Sequence, residues 1–207
     1  MDIKSNLTQN MPQTDAYKTI VAIGTSTGGP KALNKLLVDI PKDLQATYLI
    51  VQHMPAGFTK TLAERINASA DIKVKEAEDG DVLQCGMAYI APGGYHMIVE
   101  NHKKPTVRLT SLPPQKGHRP SVNMLLDSLA KMNIQKKILG VIMTGMGSDG
   151  LEGFMTLKEK YNISIIAQDE LSCVVYGMPR AVVEAGIANK IVPLDEIANE
   201  IIRFVRG

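Results

Sequence analysis

From Tyr17 onward, short apolar runs alternate with segments whose apolar residues recur at helical spacing, and that alternation leaves few folds open. KTIVAIG (18–24) and TYLIVQH (47–53) are nearly continuous apolar runs of strand length. Residues 30–40, with Leu33, Leu36 and Leu37 on one face, and 59–70, with Leu62, Ala63 and Ile66, read as amphipathic helices. The pattern returns later: strand KKILGVIMTG (136–145), helix near 151–161, strand ISIIAQ (163–168), helix near 179–185, strand KIVP (190–193) and a closing helix over 194–205. Strands buried on both faces and separated by helices predict an α/β fold, a doubly wound and mainly parallel sheet with helices on both faces.

The middle of the chain has a different texture. IKVKEAE, MAYIAPG, HMIVENH and TVRLTS are short β-like pieces, and Asp79-Gly80 and Gly93-Gly94 are turn signals between them. They predict an antiparallel hairpin region inserted in or flanking the parallel sheet. A helix should follow from Pro120-Ser121 to about Met132. Residues 1–16 are polar, lack an apolar period and read as a flexible tail or interdomain linker.

Composition excludes several classes. The net charge is +2, from 23 basic and 21 acidic residues, and there is no Trp, so neither a basic stripe nor a stacking platform for nucleic acid is expected. No apolar run reaches the length of a membrane span, about 18 residues or more, and no signal-peptide core is visible, so a cytoplasmic protein without membrane insertion is expected. Cys85 and Cys173 are far apart and form no CxxC pair; they read as buried or half-buried thiols of a reducing compartment.

Ligands of a doubly wound sheet bind beyond the carboxyl ends of its strands. Three strand ends there carry reactive side chains: Gly24-Thr25-Ser26-Thr27-Gly28-Gly29, Gln52-His53-Met54-Pro55, and the run Thr144 to Gly150 with Asp149 among three glycines. The first matches G-x-S-x-G, in which glycines permit a sharp strand-to-helix turn with the hydroxyl at its apex. The same pattern also suits a helix cap or a phosphate loop. A dinucleotide loop, however, would want glycine at Ser26 and an acid, not His53, at the second strand end. His53 can take the serine proton, and Asp149 can hold the imidazole in the accepting tautomer or, alternatively, cap the helix near Leu151. The order Ser, His, Asp differs from that of α/β-hydrolases, so a separate fold reaching the same chemistry is expected. His96 and His102 read as surface residues of the hairpin region. His118, at a helix start, reads as a cleft-lining candidate, as does its neighbour Arg119.

Six segments together are more specific than any one alone. Gly24–Pro30, Gln52–Phe58, Ala88–Gly93, Gly117–Val122, Met143–Gly150 and Ser172–Pro179 resemble, in the same order, the catalytic domain of the CheB family, the protein-glutamate methylesterases of bacterial chemotaxis. The resemblance covers about 17–207 as one catalytic domain. It implies hydrolysis of glutamyl methyl esters on methyl-accepting chemoreceptors, and deamidation of certain receptor glutamines. It makes Ser26 the nucleophile, His53 the base and Asp149 the third member. It gives the Met146 backbone N–H to the oxyanion hole and sets Thr27 beside the nucleophile, hydrogen bonding near the histidine. No metal or organic cofactor is implied, and a helical receptor surface as substrate implies a shallow, open cleft. Complete family members carry a regulatory receiver domain of on the order of a hundred residues. The 16 residues before Tyr17 leave no room for one in this chain, which reads as a piece starting in the linker or a stand-alone relative. A receptor-docking module without hydrolysis and a general small-molecule esterase are the competing readings.

Overall fold

The computed structural model describes residues 17–101 and 104–207; the tail expected over 1–16 and the position of His102 lie outside them. Among the described residues nine strands and six helices follow in the order β1 (Thr19–Thr25), α1 (Gly29–Val38), β2 (Ala46–Gln52), α2 (Phe58–Asn67), β3 (Lys73–Glu76), β4 (Met87–Ile90), β5 (His96–Asn101), β6 (Pro105–Thr110), α3 (Val122–Lys131), β7 (Lys137–Ile142), α4 (Leu151–Lys160), β8 (Ser164–Gln168), α5 (Met178–Glu184), β9 (Lys190–Val192) and α6 (Leu194–Arg206). Seven strands form one sheet in the order β3-β4-β2-β1-β7-β8-β9. Every pairing within it is parallel.

The period of two along each central strand divides the core. In β1, Ile20 and Ala22 face the layer of α3, α4 and α5, where Leu125, Leu126, Leu129, Phe154, Leu157 and Val182 are buried. Val21 and Ile23 face the opposite layer, with Leu33, Leu36 and Leu37 of α1, Leu62 and Ile66 of α2, and Ile197 and Ile201 of α6. Because both faces are covered, β1 and β2 are buried at every position, and this is why they read as continuous apolar runs and not as alternating ones.

The hairpin expectation is only half met. β5 and β6 pair antiparallel and lie against α3, where the Val99 N–H donates to Ser128 Oγ at 2.9 Å. β3 and β4 instead extend the main sheet in parallel. The turn at Gly80 does form, with the Asp81 N–H donating to Glu78 O at 3.1 Å. The chain leaving it bonds to β6, however: Gly80 N–H to Val107 O, Val107 N–H to Asp81 O and Leu83 N–H to Pro105 O. A glycine turn reverses the chain locally but does not choose which strand the next segment meets. His96 is also corrected: it is fully buried. It sits on the face of β5 opposite Met97 and Val99, but the chain around Pro113 covers it, and its Nε2 lies 3.2 Å from Pro113 O.

The direction of winding reverses at β1. Its helix α1 leads to β2 on one side, whereas β7 lies on its other side and leads outward to β8 and β9. The loops after β1 and β7 therefore diverge, and a crevice opens beyond their carboxyl ends. Both the Ser26 turn and the loop containing Met146 and Asp149 are there.

Candidate active site

The turn after β1 is held through its backbone. The Thr25 hydroxyl and the Ser26 N–H both donate to Thr144 O, at 2.9 and 3.0 Å. Ser26 O accepts from the Gly29 N–H and from Gln52 Nε2, each at 2.9 Å. Gly28 has φ 84°, a left-handed conformation that costs glycine no Cβ clash and swings the chain from strand into α1. The Ser26 side chain is left half-buried, and its hydroxyl makes no hydrogen bond among the described residues.

His53 is the first residue beyond β2, and its N–H donates to Thr25 O at 3.2 Å. Because Thr25 pairs with Gln52, Ser26 and His53 are neighbours on adjacent chains, about 4.8 Å apart in the hydrogen-bonding direction of a sheet. The ring's Nε2 lies 2.8 Å from Asp149 Oδ2, with side-chain exposures of only 8% and 2%. The same carboxylate accepts from the Val122 N–H at 2.7 Å and the Asn123 N–H at 3.0 Å, and its Oδ1 lies 2.9 Å from Ser121 Oγ.

Burial by itself would raise the Asp149 pKa. The hydrogen bonds from His53, Asn123 and Val122 outweigh it and hold the carboxyl below its ordinary range. An ionised carboxylate only accepts, so His53 Nε2 must carry the proton. In the neutral ring Nδ1 is then a bare acceptor, and it is buried without a partner. The capping alternative for Asp149 takes an unexpected form. The N-cap of α4 is Gly150, while Asp149 reaches across to cap α3.

Gly145 lies against the Ser26 turn. A Cβ there would come within 2.8 Å of Ser26 Cβ and 2.3 Å of Met178 Sδ, so only glycine allows this approach. The next residue, Met146, is 72% exposed. Neither its N–H nor that of Thr27 donates to another group among the described residues. Both N–H groups belong to segments next to Ser26 and are uncommitted, as oxyanion donors must be. The Thr27 hydroxyl does not bond the histidine; the exposed Thr27 is tied through its carbonyl, which accepts from Thr144 Oγ1 at 2.9 Å. Arg119 Nη1 donates to Ser111 O and Leu112 O at 2.9 and 3.1 Å, so its charge is spent on the chain leading into α3. His118 stacks on His53, with ring centroids 4.0 Å apart and planes 7° from parallel.

Four residues of the site escape the sequence reading. Gln52 ties Ser26 to His53 through their carbonyls. Thr144 Oγ1 also accepts from the N–H groups of Val174 and Val175, each at 3.1 Å, and so fixes the β8–α5 loop. Ser121 and Asn123 hold Asp149. The one available signal is polarity at the end of an apolar strand: Gln52 and Thr144 are each 1% exposed, and buried polar groups need partners. Among the described residues no group of three or more His, Cys, Asp or Glu is placed to hold a metal ion. Cys85 and Cys173 are half-buried and free, and burial pushes the Cys173 thiol up to about 11.

Known proteins share this arrangement of sequence and fold. The family model for CheB methylesterase matches residues 21–201. A protein-glutamate methylesterase/protein-glutamine glutaminase of Geobacillus kaustophilus (strain HTA426) is 54% identical over 189 residues, covering 91% of this chain and 54% of its own length. One of the same name from Halalkalibacterium halodurans is 52% identical over 187 residues, covering 90% and 54%. The chain thus spans about half the length of the curated relatives it matches. The crystal structure of the Thermotoga maritima CheB methylesterase catalytic domain superposes with a TM-score of 0.86 at 41% identity, covering 90% of this chain and 98% of that one. With a family match over most of its length and this shared fold, the chain belongs to the CheB methylesterase family.

Proposed function

We propose that the chain hydrolyses glutamyl methyl esters on chemoreceptor proteins to glutamate and methanol, and certain glutamine side chains to glutamate and ammonia, by acyl transfer through Ser26. The observation that carries this reading is the 2.8 Å contact of His53 Nε2 with Asp149, which leaves a buried, unpartnered Nδ1 on the residue beside Ser26. In this reading Ser26 Oγ attacks the side-chain carbonyl carbon, and its proton passes to Nδ1. The oxyanion accepts from the N–H groups of Met146 and Thr27. When the tetrahedral centre collapses, the bond to the methoxy oxygen breaks and His53 returns the proton to it, so that methanol leaves. Water then attacks the acyl-serine, gives its proton to His53, and the proton returns to Ser26 Oγ as glutamate is released. Asp149 stabilises the imidazolium formed in each half-reaction.

A protein substrate suits the surroundings better than a small ester. Met146, Val174 and Leu171, on the loops after β7 and β8, are 72%, 67% and 96% exposed, an open apolar rim instead of an enclosed acyl pocket. Among the described residues no helix is long and apolar enough to cross a membrane, and the reading puts the enzyme in the cytoplasm, beside the cytoplasmic part of its receptors. The test is methanol release from methylated chemoreceptor. Ser26→Ala is expected to lower turnover by on the order of 10⁶, as loss of a triad nucleophile does in another serine hydrolase, with an unchanged melting temperature. An alanine variant that keeps most of its activity removes the nucleophile assignment.

A further inference from the structure

The loop that carries His118 is built with care for a surface segment. Gln115 and His118 exchange both backbone hydrogen bonds, at 3.0 and 2.9 Å. They enclose a two-residue turn in which Lys116 has φ 49° and Gly117 φ 84°. Two successive left-handed residues are the geometry of a type I′ turn, and lysine is an uncommon choice for the first of them. The turn is anchored on three sides. Lys116 Nζ lies 2.6 Å from Glu152 Oε1 on α4, Arg119 holds Ser111 O and Leu112 O, and Ser121 Oγ lies 3.0 Å from Gln115 Oε1.

This anchored turn sets the His118 ring flat on His53, 4.0 Å between centroids. The His118 ring makes no hydrogen bond among the described residues, so its face is what it offers. His53 needs such a neighbour. Its ring is held by a single hydrogen bond, at Nε2, while Nδ1 has none. The torsion about Cβ–Cγ of a histidine is broad, and one in-plane contact does not define it. With a parallel ring at 4.0 Å, turning about that bond drives the edge of His53 into the face of His118. Burial, with His53 alongside, keeps His118 below the ordinary histidine pKa, so the stack brings no fixed positive charge to the base. The same stretch of chain, 115–123, thus braces His53 with one residue and grips Asp149 with three.

We infer that His118 is a positioning residue: the Gln115–His118 turn holds its ring against His53 so that Nε2 stays on Asp149 and Nδ1 stays towards Ser26. The inference rests on the reading of His53 as the base of the acyl transfer. It is tested on the full chain with His118→Ala, His118→Gln and His118→Phe, by two independent measurements. One is kcat and KM for methanol release from methylated chemoreceptor; the other is the nitrogen-15 spectrum of the His53 ring, in which the Nε2–H donated to Asp149 is followed directly.

Misplacing a reacting group by about 1 Å costs on the order of 10²-fold, so the alanine and glutamine variants are expected to lose kcat by roughly that factor with KM little changed. Their Nε2–H signal should exchange faster with water. Phenylalanine, a flat ring without nitrogens, should recover most of both readouts. Wild-type kcat and ring signal in the alanine variant would overturn the inference. So would a phenylalanine variant as slow as alanine, since the ring nitrogens and not the face would then matter. The glutamine variant gives the same reading if alanine prevents folding. If the wild type itself releases no methanol, the functional reading fails, and the ring spectra alone still decide whether the stack holds His53.

Discussion

Asn123 and Asp149 each cap the helix at whose head the other stands. The Asn123 N–H donates to Asp149 Oδ1 at 3.0 Å, at the head of α3. The Asn123 Oδ1 accepts from the N–H groups of Gly150 and Gly153, each at 2.9 Å, at the head of α4. Each helix start leaves orphan N–H groups, and here two at each head are taken by the side chain that stands at the head of the other: Val122 and Asn123 by Asp149, Gly150 and Gly153 by Asn123. Asp149, the residue proposed to orient His53, is therefore built into the packing of α3 on α4.

This exchange sets the outcome for Asp149→Asn. Oδ2 faces two donors, His53 Nε2–H and the Val122 N–H, and Oδ1 faces the Asn123 N–H and the Ser121 hydroxyl. Whichever way the amide is turned, its NH₂ meets a donor. Turnover should fall through the wrong imidazole tautomer, a change of about 10⁴ in another serine hydrolase. Stability should fall as well, by about 1–3 kcal/mol for a buried group left unpaired. Reading Asp149 from sequence as a simple triad member predicts a loss of rate with only a modest loss of stability; denaturant titration beside the rate assay separates the two.

Stability should fall in acid in two stages. Burial is the main cause that lowers the pKa of both His96 and His118. Their contribution is complete above the unfolded histidine value of about 6.5 and is lost as pH falls through the depressed folded values. Asp149 follows the same sign lower down. Its contribution is complete above the unfolded carboxylate value of about 3.9 and disappears as pH falls through its depressed folded value. Melting temperature against pH is the measurement. His118→Phe should flatten part of the upper stage and Asp149→Asn the lower one; a melting temperature constant from neutral into moderate acid contradicts the first.

Gly145→Ala should injure the site more than the fold. Met178 Sδ, 2.3 Å from the new methyl, ends a flexible side chain that can turn away, but Ser26 Cβ and N, at 2.8 and 3.0 Å, belong to a turn with its backbone tied down. The Ser26 turn must shift, and about 1 Å of shift costs on the order of 10²-fold in rate. Turnover at wild-type level in this variant would show that the close approach is dispensable.

Phe154→Ala makes the opposite forecast. Phe154 is fully buried in the layer of α3, α4 and α5, and its ring fills the space above Gly140 of β7, where a Cβ would come within 2.3 Å of Cε1. Truncation leaves a cavity there and should cost about 3–5 kcal/mol. None of the hydrogen bonds that hold Ser26, His53 and Asp149 involves this ring, so turnover well below the melting temperature should stay near wild type. Chemical denaturation and a low-temperature rate assay check both halves.

The parallel sheet and its two helical layers were legible because burial on both faces imposes continuous apolar runs, and helix packing imposes a 3.6-residue period; both are local patterns. Ser26, His53 and Asp149 were legible for a related reason: a doubly wound sheet exposes side chains at its strand ends, and each of the three stands at one. Partner choice was not local. Whether β3 and β4 fold back on each other or join the main sheet depends on which edge the chain meets after Gly80, and no residue between them specifies that edge. The same holds for His96, whose place on β5 reads as exposed until the chain near Pro113 closes over it. Finer still, Asp149 caps α3 and not its own helix, His53 turns Nε2 to Asp149 and leaves Nδ1 free, and His118 lies flat on His53. These depend on how segments about 30 to 100 residues apart in sequence come together, so tertiary packing alone decides them.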